Sequence, residues 1–491
     1  MTIKNLAKQT FFWSIIIVLI SCSGNQNETQ TFADKPNIIY ILTDDLGYGD
    51  LSCYGQKILK TPHLDKMAEE GIRFTQHYAG SPVCAPSRAI LMTGRAPGHS
   101  RVRGNYEIGP HGFGGELPLR PEDITIAEIL KSSGYKTANI GKWGMGMDGT
   151  TGEPNKKGFD YAYGFLNQAH AHWQYPEYLF LNGKKVDVKE NAGAKQNYFS
   201  NDIFTDATLN YLKQQKGDEP FFLYLTYVTP HAEMLVPKDS IWNSYKEKFK
   251  DKAFTGSPTG SGGNRKDSMG YYHSQPYPQT AFASMITHID NDVKKILDQL
   301  KAQGMDENTL VMFSSDNGPH KEGGHDPAYF KSSGELRGVK RDLYEGGIRV
   351  PFIVRWPAKI KPGHVSDQIS AFWDMLATLA DVAKADTKNI ITEGVSLLPI
   401  FLGKNEDQKQ HDYLYWEFHE NKFSNQAVRK GKWKAVRLDP DAKMELYNLE
   451  NDISEKNNVA DKNPEVVKEM EIVMKKARTP NPYWPLKSSK N

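Results

Sequence analysis

The sequence predicts an α/β protein, with one large, mostly parallel sheet sandwiched by helices and a smaller antiparallel sheet plus one helix after it. Three observations carry this reading. Continuous apolar runs alternate with helical stretches along residues 36 to 360, as expected for a parallel sheet whose crossovers are helices. Successive runs end in polar residues rather than in tight turns. From about Gln408 onward the pattern changes to short strand candidates separated by turn signals.

Asn37 to Thr43 is apolar without alternation, as a strand buried on both faces must be, and it ends in Asp44-Asp45. Thr137 to Gly141 is a second such run, ending in Lys142. Phe221 to Val228 is a third, followed by Thr229-Pro230-His231, and Leu310 to Ser315 a fourth, ending in Asp316-Asn317. Val350 to Trp356 is a fifth, with no polar pair after it. The helical stretches between them are Lys66 to Glu70, opened by Thr61-Pro62, then Ile124 to Ser132, Phe204 to Gln214 and Ala281 to Leu300. In folds of this class ligands bind beyond the carboxyl ends of the strands, and four separate runs deliver polar residues to that edge.

The later unit contains strand candidates at Tyr413 to Phe418, Gln426 to Lys430, Lys432 to Leu438 and Glu445 to Leu449. A helix opened by Pro464 follows, with Val466, Val467, Met470, Val473 and Met474 on one face. The expected division is a segment 36–407 that carries the chemistry and an α+β subdomain 408–491. Gly256 to Gly263 reads as a mobile loop in the long stretch after His231, suited to a lid or a substrate rim.

Ahead of this lies a targeting segment. Lys4 and Lys8 precede an apolar run from Phe11 to Ile20 that is too short to span a bilayer. Leu19-Ile20-Ser21-Cys22 resembles a bacterial lipobox, with residues 1–21 removed as a signal peptide and Cys22 lipidated. Residues 22–35 form a polar tether. The expected location is therefore outside the cytoplasm, anchored by lipid to a membrane it does not span, with a secreted or periplasmic protein as the fallback.

The chain of 491 residues has a formal net charge of +2, which gives no reason to propose a nucleic-acid partner. It has three cysteines: Cys22 in the targeting segment, Cys53 and Cys84. No structural disulfide is expected.

Cys84 opens the run Cys84-Ala85-Pro86-Ser87-Arg88-Ala89-Ile90-Leu91-Met92-Thr93-Gly94-Arg95. Pro86 suits a first helical turn and Ala89 to Met92 continue it. Residue 84 then lies at a helix N-terminus, where free N–H groups and the dipole favour an anion, and Arg88 faces the same place one turn on. Asp44, Asp45, Asp316 and Asn317 are hard oxygen donors with no thiolate or imidazole among them, a set that favours Ca²⁺, and less so Mg²⁺, over zinc.

The run from Cys84 to Arg95 meets every specified position of C-x-P-S-R-A-x-[LM]-x-T-G-R and resembles the signature of the type I sulfatases of the alkaline phosphatase superfamily. The resemblance extends over most of residues 36 to 360 and implies an alkaline phosphatase-like fold. It implies that Cys84 is oxidised to formylglycine (3-oxoalanine) by a maturation enzyme, and that Asp44, Asp45, Asp316 and Asn317 ligate calcium together with residue 84. Lys142, in Gly141-Lys142-Trp143-Gly144, matches a lysine that contacts formylglycine and sulfate. His231 matches a histidine that binds sulfate and protonates the leaving oxygen, and Lys340 matches a second sulfate-binding lysine. The resemblance also implies that Arg88 and Lys142 hold the nucleophile in its reactive form.

The chain departs from the family at Gly144, where a histidine is usual; His320, His325 and His170 are the candidate replacements for that base. Gln168, His170 and His172, in Asn167 to Trp173, suit a sugar face and its hydroxyls. The expected activity is hydrolysis of sulfate monoesters on a glycan, algal or glycosaminoglycan-like. The alternatives are a phosphomonoester or phosphonate ester hydrolase of the same superfamily and a non-catalytic glycan-binding lipoprotein.

Overall fold

A computed structural model describes residues 35–105, 117–217, 219–256 and 272–490. The signal peptide 1–21, the lipidation site Cys22, the tether up to residue 34 and nearly all of the Gly256 to Gly263 loop lie outside the described residues. Among the described residues no helix is long and apolar enough to cross a membrane.

The main sheet contains β1 (Asn37–Asp44), β2 (Ile72–Tyr78), β3 (Lys136–Lys142), β4 (Tyr161–Phe165), β5 (Tyr178–Leu181), β6 (Lys184–Asp187), β7 (Phe221–Pro230), β8 (Thr309–Ser315), β9 (Arg349–Arg355), β10 (His364–Ser366) and β11 (Ser370–Ala371). Their order is β10-β2-β9-β8-β1-β7-β3-β4-β5-β6, with β11 also on β2. At its centre β8, β1, β7 and β3 are neighbours and mutually parallel. Their carboxyl ends therefore lie side by side.

The four central strands are apolar throughout because both faces of the sheet are covered. Successive β1 side chains enter opposite cores, with Ile38, Tyr40 and Leu42 in one and Ile39 and Ile41 in the other. The first face is covered by helices Cys84–Thr93, Ile126–Ser132 and Asp374–Ala383, and the second by Pro62–Glu69, Ser200–Lys213 and Pro278–Ala302. Helix Ile126–Ser132 begins with a capping box between Thr125 and Glu128.

The fifth apolar run is β9, which pairs antiparallel with both β8 and β2. The chain leaves β8 and re-enters β9 from the same edge, without a crossover. Residues 316–348, which join the two strands, therefore all serve the edge where the central strands end.

The later unit is a four-stranded antiparallel sheet of β12 (Leu414–Phe418), β13 (Asn425–Lys430), β14 (Trp433–Arg437) and β15 (Glu445–Asn448). Leu414, Trp416 and Phe418 join the first core, while Tyr415, Val428 and Leu446 pack with Met470 and Met474 of helix Pro464–Lys476. Polar contacts bind the two units. Trp416 Nε1 donates to Ala79 O at 2.9 Å. Fully buried Lys434 lies 2.9 Å from Glu345 and 3.7 Å from Glu455, and Arg349 is 3.2 Å from Glu345.

Candidate active site

The four central strands each deliver a polar group to one point. Asp44 is the last residue of β1 and Lys142 the last of β3, while His231 follows β7 and Asp316 follows β8. Asp45 turns away with a left-handed φ of 66°, and its N–H donates to Asp316 Oδ1 at 3.1 Å.

Cys84 is the first residue of helix Cys84–Thr93, after an extended Val83, and is 1% exposed. Its thiol lies 3.1 Å from Asp44 Oδ1. Asn105 Oδ1 accepts the Ala85 N–H at 2.8 Å, which satisfies one of the free donors at this helix start. Fully buried Arg88 donates from Nε to Asp316 Oδ2 at 2.9 Å, has Nη2 in ion-pair contact with the same oxygen at 2.8 Å, and donates through Nη1 to Lys142 O at 2.8 Å. Lys142 Nζ donates to Asp44 Oδ2. Lys340 Nζ reaches Asp45 Oδ2 at 2.8 Å and His231 Nε2 at 2.9 Å.

These residues fit a hard divalent cation. Asp44, Asp45, Cys84 and His231 offer donor atoms within 4.8 Å of one another. Asn317 donates from Nδ2 to Asp45 Oδ1 at 2.6 Å, while its buried Oδ1 has no hydrogen-bond partner. Burial and the adjacent Asp44 push the Asp316 carboxyl up to about 7, whereas Asp44, also raised by burial, is held well below the usual carboxylate range by Lys142, His231 and Arg88.

The three histidines considered in place of Gly144 occupy different settings. His320 donates from Nε2 to Pro230 O at 3.0 Å and accepts the Glu322 N–H on Nδ1 at 3.0 Å, so both nitrogens are engaged. His325 stacks on Phe282 at 3.8 Å, and neither of its nitrogens has a partner. His170 packs among Phe165, Trp173 and Tyr178, and burial pulls its pKa down to about 3.

Gly144 itself has a φ of 77°, and a Cβ on it would fall 2.0 Å from Gln168 Nε2. The Gln168 amide thus takes the space beside residue 144. Of the three residues proposed to meet a sugar, His172 stands nearest the chemistry, its ring stacked on His231 at 4.5 Å with 13° between planes.

Sequence reasoning missed Tyr272 and Glu322. Tyr272 closes on both His172 (5.6 Å) and His231 (6.3 Å). Glu322 Oε2 lies 3.4 Å from Lys340 Nζ and 3.6 Å from His231 Nε2. The available signal for Glu322 was its place five residues after Asn317, in a loop that starts at the site.

Residues 36–385 match the family model described as Sulfatase. The chain belongs to the sulfatase family. Residues 338–479 match a second model, N-sulphoglucosamine sulphohydrolase, C-terminal. The sulfatase is 30% identical to an N-acetylgalactosamine-6-O-sulfatase of Bacteroides thetaiotaomicron, over 97% of this chain and 100% of that one. It is 32% identical to human arylsulfatase A, over 82% and 75% of the two chains. Among solved structures, Ps i-CgsB in complex with k-i-k-neocarrahexaose superposes with a TM-score of 0.74 at 28% identity, covering 93% of this chain and 96% of that one. The protein is a sulfuric ester hydrolase, and its family generally uses a metal ion and formylglycine.

Proposed function

We propose that this sulfatase removes sulfate from a sulfated glycan, with residue 84 acting as formylglycine beside a Ca²⁺ ion. The observation that carries the reading is the meeting of Cys84, Asp44, Lys142, His231 and Asp316 at four adjacent strand ends, with Cys84 Sγ 3.1 Å from Asp44. The glycan is supported by the relative named for N-acetylgalactosamine-6-O-sulfate and by the neighbour solved with a neocarrahexaose.

As a hydrated aldehyde, residue 84 carries two hydroxyls on one carbon, one to attack sulfur and one whose deprotonation expels the sulfate. Asp44, Asp45, Asp316, Asn317 and residue 84 would hold the ion, which supplies Lewis-acid polarisation of the sulfate oxygens. Lys142 and Arg88 fix the carboxylates and residue 84 relative to one another. Lys142 and Lys340 oppose the charge that spreads over the transferring group. His231 Nε2, 2.9 Å from the Lys340 ammonium, takes its proton from Lys340 and passes it to the leaving oxygen.

The same reading includes export by the segment 1–21, lipidation of Cys22, anchorage to a bacterial membrane, and a formylglycine-generating enzyme as maturation partner. Its support is the sequence Lys4 to Cys22 and the signature at Cys84.

The test is sulfate release, by ion chromatography, from a panel of sulfated glycans. The protein is co-expressed with a formylglycine-generating enzyme and assayed with Ca²⁺, with EGTA, and as Cys84→Ala. Release by the wild type with Ca²⁺ alone is expected, together with a peptide mass showing formylglycine at residue 84. Phosphate release from phosphomonoesters without sulfate release, or full activity in Cys84→Ala, would overturn it.

A further inference from the structure

We propose that Glu322 and Arg341 form a neutral pair at the mouth of the site that reads hydroxyls of the sugar ring bearing the sulfate. This rests on the glycan reading above and adds the residues that select the sugar. The direction of the mouth follows from exposure. The Asp45 side chain is 0% exposed, that of Lys340 3%, Glu322 17% and Arg341 46%. These four form an unbroken chain of ion pairs, with Lys340 Nζ 2.8 Å from Asp45 and 3.4 Å from Glu322, and Glu322 Oε1 2.6 Å from Arg341 Nη1. A sulfate held at the buried end must carry its alkyl group toward the open end, where it meets this pair.

The pair suits hydroxyls rather than a second anion. Arg341 has its charge matched by Glu322, so together they offer guanidinium donors and carboxylate acceptors without net charge. Across His231 lie the rings of His172 and Tyr272, which suit the apolar face of a pyranose. The pair is also held in place. Lys340 N–H donates to Pro319 O at 2.9 Å and Arg341 N–H to Pro82 O at 3.0 Å, and Arg341 keeps a left-handed φ of 75°. One short segment thus ties the sugar-facing arginine to the chain two residues ahead of Cys84.

The test compares two substrates of the matured enzyme, the sulfated sugar from which the wild type releases most sulfate and 4-nitrophenyl sulfate, which has no sugar hydroxyl. The variant is Glu322→Ala/Arg341→Ala, which removes the pair without changing net charge. The expected result is that the ratio of kcat/KM for sugar over aryl sulfate falls roughly tenfold or more, the loss typical where a hydrogen-bonding site loses its partners. A ratio within about twofold of the wild type overturns the proposal, because the pair then serves both substrates alike by holding Lys340. A wild type that turns over aryl sulfate and no sugar overturns the glycan reading itself, a distinct outcome. If the double variant does not fold, Glu322→Gln keeps the volume and one acceptor. Its ratio falls by a smaller factor, and an unchanged ratio again overturns the proposal.

Discussion

Lys340 donates a hydrogen bond of 2.9 Å to His231 Nε2, while His231 Nδ1 faces Ala232 O at 2.5 Å. A lysine ammonium has only donors, so this pairing puts the imidazole proton on Nδ1 and leaves Nε2 as the acceptor. Burial opposes the Lys340 charge, yet Asp45 and Glu322 hold its pKa well above the usual lysine range. Lys340→Met removes this donor and leaves Asp45 without it. Sulfate-release kinetics on the matured variant are expected to show kcat/KM lower by about 10²-fold or more, in a protein whose circular dichroism matches the wild type.

The unmodified cysteine is chemically quiet. Burial, then Asp316 and Asp44, push the Cys84 thiol well above its ordinary pKa. A raised pKa means less thiolate at any given pH, and the thiolate is the reactive form. Immature native protein at pH 8 is expected to resist iodoacetamide at Cys84 and to become labelled there once unfolded in guanidinium. Labelling of the native protein at the rate of a free thiol, read by peptide mass, would contradict this.

Gly144→Ala tests the departure from the family. The new Cβ meets the far end of Gln168, which can move, but an L-residue at φ 77° pays left-handed strain of about 1–2 kcal/mol. A lower thermal midpoint is expected, and Gln168→Gly should not restore it, because the strain lies in the backbone.

The interface between the two units carries a pH dependence of its own. Burial raises Glu455 to about 7, with Glu345 adding to the shift. A carboxyl with a raised folded pKa contributes stability that is full below its unfolded pKa of about 4.3 and is lost as pH rises through the folded value. Glu345 runs the other way. Burial raises its pKa, but Lys434 and Arg349 overcome this and hold it at about 2, so its contribution is present above the unfolded pKa and lost as pH falls toward 2. Urea midpoints measured from pH 4.5 to 8 are expected to fall less steeply in Glu455→Gln than in the wild type. Lys434→Met is expected to cost about 3–5 kcal/mol, since Glu455 loses its lysine and Glu345 keeps Arg349 as its ion-pair partner.

The central strands were legible in the sequence because burial on both faces leaves an unbroken apolar run. The site was legible because each run ended in its polar group. The direction of β9 was not, since an apolar run reads the same parallel or antiparallel. Strand β2, Ile72 to Tyr78, was missed because Arg73, Thr75, Gln76 and His77 interrupt its apolar residues, and β4 to β6 are short and half exposed. In the loop from Asn167 to Trp173 the residue types could be read from the sequence but their directions could not. His170 and His172 are two apart in a 3₁₀ turn, and one enters an aromatic cluster while the other stacks on His231. Glu322 was missed because its one signal was its nearness in sequence to Asn317; the fold then brings it 3.4 Å from Lys340.

The start of the nucleophile's helix is completed by the far end of the chain. Asn105, which accepts the Ala85 N–H, donates its own N–H to Glu420 just beyond β12, and Trp484 packs against Gly104. These partners are made last on the ribosome. In the folded protein the Cys84 side chain is 1% exposed. On the proposed formylglycine reading, oxidation belongs to the interval before the chain closes over residue 84, and protein that folded first would stay unactivated.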